Sequence, residues 1–238
     1  MKFALHPGLD PSALAQRFAS AGRLRIQPFL SESTAVALHE HLRAREDWRQ
    51  VVNSGDKVFE LDRAVRAAMS AEQRQALDQA VANGAREGFQ YRYESIRLED
   101  GNASMPAEGL NGFTRWLSTG EARALLRTVT GFADVDFADG QATAYSPGDF
   151  LTGHDDDVVG KHRRAAYVLG LTPTWRLEWG GLLLFHGADG SASGWMPSFN
   201  SIDIFAVPQI HSVSLVSPAA AFRRYSITGW LRSDANGA

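Results

Sequence analysis

The chain has 238 residues, 44% of them hydrophobic and 21% charged, with a formal charge of −3 and a pI near 6.2. That length allows one substantial core or two small ones, and nothing in the charge suits non-specific binding to nucleic acid or to an anionic membrane. There is no cysteine, which excludes disulfides, thiolate metal sites and thiol nucleophiles and leaves nitrogen and oxygen as the ligands for any metal.

The opening MKFALHPGLDP has too short an apolar run for a secretory signal or a membrane span, so the cytoplasm is the expected compartment. Helix signals dominate up to about residue 130. Asp10-Pro11 reads as an N-cap with proline in the first turn, opening a helix through Phe18. Ser31 is placed to cap a second helix, whose Ala35, Leu38 and Leu42 fall at helical spacing. Ser70 with Gln73, and Ser118 with Glu121, both fit the capping box. Arg23–Phe29 and Asp47–Leu61 contain shorter segments with strand character, and Asp100–Gly112 has the composition of a loop, either a lid or an ordinary surface turn.

From about residue 134 the pattern changes to short β-branched and aromatic runs broken by Gly, Pro and Asn. Strands are expected near 140–146, 150–156, 163–171, 181–186, 194–197, 201–207, 211–216 and 222–232. Such spacing indicates an antiparallel sandwich or barrel. Helices followed by a strand-rich half predict one α+β domain over 1–238, with 1–133 as helical support and 134–232 as the β core.

His154 and Asp156 are two apart in an expected strand, so both should face one side, with Cα atoms about 7 Å apart. A third ligand must come from another strand, and His211 before SVSLV is well placed. Two histidines and a carboxylate with open positions are the donor set of non-haem Fe(II) oxygenases. Taken singly, His154 also reads as a surface histidine beside Asp155–Asp157, and His211 as a strand-edge residue. His162 and His186 compete weakly, lacking a carboxylate two residues away. In FRRYSITGWLR, Arg224, Ser226 and Thr228 share one strand face. An arginine there can hold a carboxylate bidentately with a serine hydroxyl alongside, whereas Arg223 on the other face reads as a rim salt bridge. Gly180-Gly181 reads first as a turn or bulge and only then as a close backbone approach to another segment, and Trp175, Trp179, Trp195 and Trp230 first as core and only then as a substrate platform.

In order along the chain stand YSPGDFLTGHDD (Tyr145–Asp156), Arg164–Trp175, Trp179-Gly-Gly181, Phe205, His211-Ser-Val213 and Arg224-Tyr-Ser226-Ile-Thr-Gly-Trp230. This series resembles the prolyl hydroxylase branch of the Fe(II)/2-oxoglutarate oxygenases, most of all the ribosomal-type enzymes and their bacterial relatives. The resemblance covers about residues 134–232 and fades upstream through IQPFLSESTAVALHEHL. It implies a double-stranded β-helix, a jelly-roll barrel with flanking helices. It further implies Fe(II) on His154, Asp156 and His211, the far carboxylate of 2-oxoglutarate on Arg224, and Tyr145 near the cosubstrate. O2 would be the second cosubstrate, with succinate and CO2 as products. One departure is Gly170, which stands where the hypoxia-type enzymes carry a tyrosine that contacts 2-oxoglutarate. Tyr167 lies on the opposite face, so Tyr145 or Ser226 would have to substitute. The expected reaction hydroxylates an exposed prolyl residue of a protein or peptide, with no nucleic acid or membrane partner and the oligomeric state open. Hydroxylation of a free amino acid and a non-catalytic jelly-roll binding module are the rival expectations.

Overall fold

In the computed structural model, which describes residues 1–102 and 109–234, the elements follow one another as α1 (Pro11–Ala21), β1 (Arg23–Ile26), α2 (Glu32–Ala44), β2 (Arg49–Ser54), β3 (Lys57–Leu61), α3 (Arg63–Ala68), α4 (Ala71–Glu87) and β4 (Tyr91–Arg97). Next come α5 (Gly112–Leu117), α6 (Gly120–Thr130), β5 (Phe137–Ala138), β6 (Gln141–Tyr145), β7 (Phe150–His154) and β8 (Arg163–Leu171). The series ends with β9 (Leu183–His186), β10 (Ala192–Trp195), β11 (Phe199–Ala206), β12 (His211–Val213) and β13 (Arg224–Arg232).

Local chemistry accounts for the helix ends. The Asp10 carboxylate accepts from the backbone N–H of Ser12 and Ala13 ahead of α1, and Gly22, with φ +64°, closes it in the left-handed region. Ser70 and Gln73 form the expected capping box of α4. Ser31 does precede α2, but its hydroxyl pairs with Thr34 Oγ1 at 2.8 Å and caps no backbone N–H. The box expected at Ser118 and Glu121 is absent. Ser118 ends α5 instead, donating to the Thr114 carbonyl at 2.6 Å and accepting from Ala138 N at 2.8 Å, while Thr119 stands at the N-cap of α6. The hydroxyl is taken by the neighbouring strand, a partner that local spacing cannot reveal.

All sheet pairings are antiparallel, in the order β1-β11-β8-β13-β6-β4-β7-β12-β9-β10, with β2, β3 and β5 as side branches. The strip is curled so that β1-β11-β8-β13-β6 faces β7-β12-β9-β10. Ala166, Val168 and Phe205 of the first sheet pack against Leu183 and Phe185 of the second. This is the jelly-roll barrel expected from the second half of the chain. β4 was not expected. It joins the sheets at one corner, pairing with β6 through Glu94–Arg97 and with β7 through Tyr91 and Arg92.

Alternation along β8, β11 and β13 divides their residues cleanly. Leu169, Leu171, Ile202, Ile204, Ile227 and Leu231 face outwards into the main core with α1, α2, α5 and α6, whereas Val168, Asp203, Phe205 and Arg224 face into the barrel. The outer face is thus sealed by helices and the inner one is left to build a site. Residues 103–108 of the anticipated lid lie outside the described residues. Its flanks are tied down, with Gly101 N donating to Ala138 O at 2.8 Å and Gly109–Asn111 forming a 3-10 turn into α5.

Candidate active site

A cavity of about 360 Å³ opens between the two sheets. At its mouth β7 and β12 pair so that His154 and His211 are direct cross-strand partners, with ring centroids 4.1 Å apart. Asp156 Oδ1 lies 3.4 Å from His154 Nε2, and its Oδ2 lies 3.4 Å from His211 Nε2. Among the described residues this is the one group of three whose ligand atoms all fall within 4.8 Å of one another.

The route to this convergence differs from strand alternation. β7 ends at His154, and Asp156 sits in the following turn with φ +65°. That left-handed conformation, which Asp tolerates better than most residues, swings the carboxylate back over the strand end. Each histidine is oriented from behind. His154 Nδ1 is 3.1 Å from the Thr152 carbonyl and His211 Nδ1 is 2.8 Å from that of Gln209. Nδ1 directed at a carbonyl leaves Nε2 facing the Asp156 carboxylate, where it can share a proton with it or, once that proton is released, ligate a metal. Burial, helped by the neighbouring His154, pushes the His211 pKa down to about 4. Burial works against the charge of Asp156, but the His154 hydrogen bond and the fields of both histidines outweigh it and hold its pKa below the usual range. Two neutral imidazole nitrogens and an ionised carboxylate fit a divalent first-row metal such as Fe(II).

Deeper in the barrel Arg224 is buried, with its guanidinium 4.9 Å from the Tyr145 ring centroid. Among the described residues no carboxylate oxygen comes within ion-pairing distance of it. Asp203, which shares its surroundings, is held by Arg25 through two bonds of 2.6 and 2.8 Å. A buried cation left over from pairing, at the inner end of a cavity with metal-ligating groups at its mouth, suits the carboxylate of a small dicarboxylate. Tyr145 is buried against Arg224 and burial raises its pKa well above the ordinary value, so it is a neutral hydroxyl. Ser226 is buried beside them with its hydroxyl 2.7 Å from Thr143 Oγ1. Gly170 faces the same end, and a Cβ there would lie 2.6 Å from the Ser198 carbonyl oxygen and 2.9 Å from Ser201 Oγ. The space beside Gly170 is therefore filled by backbone and by a serine pair 2.7 Å apart.

Other expectations sort as follows. Arg223 is not a rim residue: it lies between Trp48 and Tyr225 and pairs with the buried Glu94, which Arg66 also contacts at 2.5 Å. His186 bonds Ser212 Oγ at 2.8 Å, and His162 is exposed outside the site. Gly180 is a close approach, since a Cβ there would meet the Leu215 carbonyl oxygen at 2.0 Å. Trp230 lines the cavity instead of filling the core. One wall had no counterpart in the sequence reading. Phe89, Tyr91 and Tyr93 run along one face of β4 and its approach, with Tyr93 stacked on Tyr145 at 5.0 Å and Phe89 5.4 Å from His154. The alternation in FQYRY carries that signal.

Comparisons with known proteins point to the same fold. Residues 140–232 match the family described as the 2OG-Fe(II) oxygenase superfamily. Prolyl 3-hydroxylase OGFOD1 of Mus musculus is 33% identical over 116 residues, which cover 45% of this chain and 21% of that protein. The chain thus spans about a fifth of the length of the curated relatives it matches. Among solved structures, a Pseudomonas putida prolyl-4-hydroxylase superposes with a TM-score of 0.61 at 18% identity, covering 94% of this chain and 100% of that one. A Trichoplax adhaerens prolyl hydroxylase, bound to a peptide fragment of the hypoxia inducible factor oxygen degradation domain, gives 0.55 at 14% identity, with 94% and 89% covered.

Proposed function

We infer, from the match of residues 140–232 to the 2OG-Fe(II) oxygenase superfamily, that this chain is an Fe(II)- and 2-oxoglutarate-dependent dioxygenase hydroxylating a prolyl residue of a protein or peptide. The observation that carries the reading is one cavity with His154, Asp156 and His211 at its mouth and, within, the buried Arg224, which has no carboxylate partner among the described residues. In this reading the three mouth residues hold Fe(II), Arg224 takes the far carboxylate of 2-oxoglutarate, and Tyr145 and Ser226 border the cosubstrate. When bound, iron and 2-oxoglutarate supply the activation of O2. The protein's own part is to orient the reactants and to keep water away with the apolar wall of Val168, Leu183, Phe205 and Val213.

The prolyl substrate is supported by the prolyl hydroxylases among the similar proteins and by the aromatic face of Phe89, Tyr91 and Tyr93, against which an apolar ring can pack. We read 1–238 as one oxygenase domain, supported by β4, a strand from the first half inserted between β6 and β7. Among the described residues no helix is long and apolar enough to cross a membrane, and the cytoplasm is the compartment proposed, since Fe(II) and 2-oxoglutarate are both available there. The test is succinate formation dependent on iron and 2-oxoglutarate, with free proline, short proline peptides and cell-extract protein offered in parallel, and mapping of the product for an added oxygen. A modified prolyl peptide is expected. Turnover of free proline alone would replace the substrate, and absence of any succinate would remove the enzyme.

A further inference from the structure

The two candidate histidine ligands each have a backbone carbonyl behind them; the carboxylate between them needs a support of another kind. Asp156 keeps φ at +65°, a conformation that a non-glycine residue holds only where its surroundings over-determine it. Arg163, the first residue of β8, donates from Nη1 to the Asp156 carbonyl at 3.0 Å and lies 3.8 Å from its Oδ1. The same guanidinium sits 3.5 Å from the centre of the Trp230 ring. The Trp230 indole N–H is buried, has no partner at hydrogen-bonding distance, and belongs to a side chain that lines the same cavity as Asp156. Trp230 is itself anchored: its backbone N donates to Asp139 Oδ1 at 3.0 Å, and Asp139 Oδ2 accepts from Arg232 at 3.1 Å.

We propose that Arg163 and Trp230 are positioning residues for the metal-binding carboxylate. Arg163 fixes the left-handed turn of Asp156 through its carbonyl, and Trp230 supports the guanidinium and offers its N–H to the Asp156 carboxylate. Two features separate this from simple packing. A stacked pair serving stability alone has no need of a buried donor left without a partner beside a carboxylate. And Arg163 is largely desolvated, at a cost that lowers its pKa, while meeting Asp156 through one carbonyl bond and one long contact. The pair completes an outer shell in which every candidate ligand is held from behind, the arrangement on which metal affinity depends.

The proposal rests on reading His154, Asp156 and His211 as metal ligands, so its test reads the metal directly. The metal-free full chain is titrated with Co(II), without 2-oxoglutarate or substrate, following the visible absorption of the bound ion, and thermal melting of the metal-free protein is recorded alongside. Trp230→Phe, which keeps a ring and loses the N–H, and Arg163→Lys, which keeps the charge and loses the fork, are each expected to weaken Co(II) binding by about tenfold, and Arg163→Ala by up to about a hundredfold. Melting temperatures of the metal-free variants should stay within a few degrees of the parent. Arg164→Ala is the control, because Arg164 pairs with Asp134 on the outside, and it should bind Co(II) like the parent. Parent-like Co(II) affinity in both Trp230→Phe and Arg163→Lys would overturn the proposal, whatever happens to the KM of the hydroxylated substrate. Failure of the parent itself to bind Co(II) would instead remove the ligand assignment, and the proposal with it.

Discussion

The two faces of the barrel are built to different standards. The sheet β1-β11-β8-β13-β6 is buried on both sides, and Leu169, Ile202, Ile204 and Ile227 on its outer face have no exposure at all. The sheet β7-β12-β9-β10 is thin: only partly buried along β7, largely exposed along β10, with no helical layer in its core clusters. Arg224 stands on the first sheet; the candidate metal ligands stand on the second and on the turn leaving it. The group proposed to meet the carboxylate of 2-oxoglutarate is thus set in the most deeply buried sheet. The groups proposed to hold the metal are set where few apolar contacts depend on them.

The sharpest way to break this contrast is to cut both sides. His154→Ala, Asp156→Ala and His211→Ala should each lower iron-dependent succinate formation by more than about a hundredfold while leaving the metal-free protein folded. Ile227→Ala, by contrast, should cost about 2–5 kcal/mol of stability, read by urea unfolding, because it opens a void between sheet and helices. Metal-ligand variants that unfold would show that the thin sheet carries stability after all. Next in size is Arg224→Ala, which should raise the KM for 2-oxoglutarate about ten- to a hundredfold through loss of a charge-assisted contact, with Arg224→Lys only partly rescuing it. Arg223→Ala should leave that KM unchanged and lower stability instead, since it removes one of the cations around the buried Glu94.

A pH series sharpens the comparison further. His211 has its pKa pushed down to about 4 from 6.5, by burial first and then by His154. As pH falls the unfolded chain takes up that proton first, so the contribution of His211 to stability is full above 6.5 and lost towards 4. Asp149, in the turn joining β6 to β7, runs the other way. Burial pushes it up to about 6 from 3.8, so its contribution is full below 3.8 and lost as pH rises towards 6. Each is worth about 3 kcal/mol across its window, and in the metal-free protein the two slopes should largely cancel. Asp149→Asn should therefore give a melting temperature that rises between about pH 4 and 6, and His211→Gln one that falls over the same range. Equal slopes in the two variants would contradict the assignment. The smallest effect is expected for Ser226→Ala: a change within about threefold in the KM for 2-oxoglutarate, because its hydroxyl is already engaged by Thr143.

What could be read from the sequence follows the same division. β8 announces itself through the continuous apolar run AAYVLGL and β13 through the alternation in RYSIT, and β8 was placed to the residue. The thin sheet was blurred: β12 is three residues long where six were expected, and β10 begins two residues early. Short strands leave little pattern to measure. Asp156 was tied to His154 by an argument about strand faces, yet the strand stops at His154 and a left-handed turn brings the carboxylate back. Spacing alone does not separate those two geometries. β4 was missed although YRYESIR alternates, because its partners β2, β6 and β7 lie in other parts of the chain and the surrounding half reads as helical. The support of Asp156 by Arg163 and Trp230 was invisible for the same reason, since its members come from three segments that only the ladder brings together.

The direct pairing of His154 with His211 has a consequence for assembly. A strand slipped by one residue turns every side chain to the other face, so a β12 paired one step out of register would point His211 away from His154 and Asp156. An ion that needs all three donors can lodge only in a chain whose barrel has closed in the correct register, after the intervening β8 to β11 have been gathered in. Loading would then act as a proofreading step, fastening finished barrels and passing over misaligned ones, and the proportion of chains that accept a metal would count correctly folded molecules before any substrate is turned over.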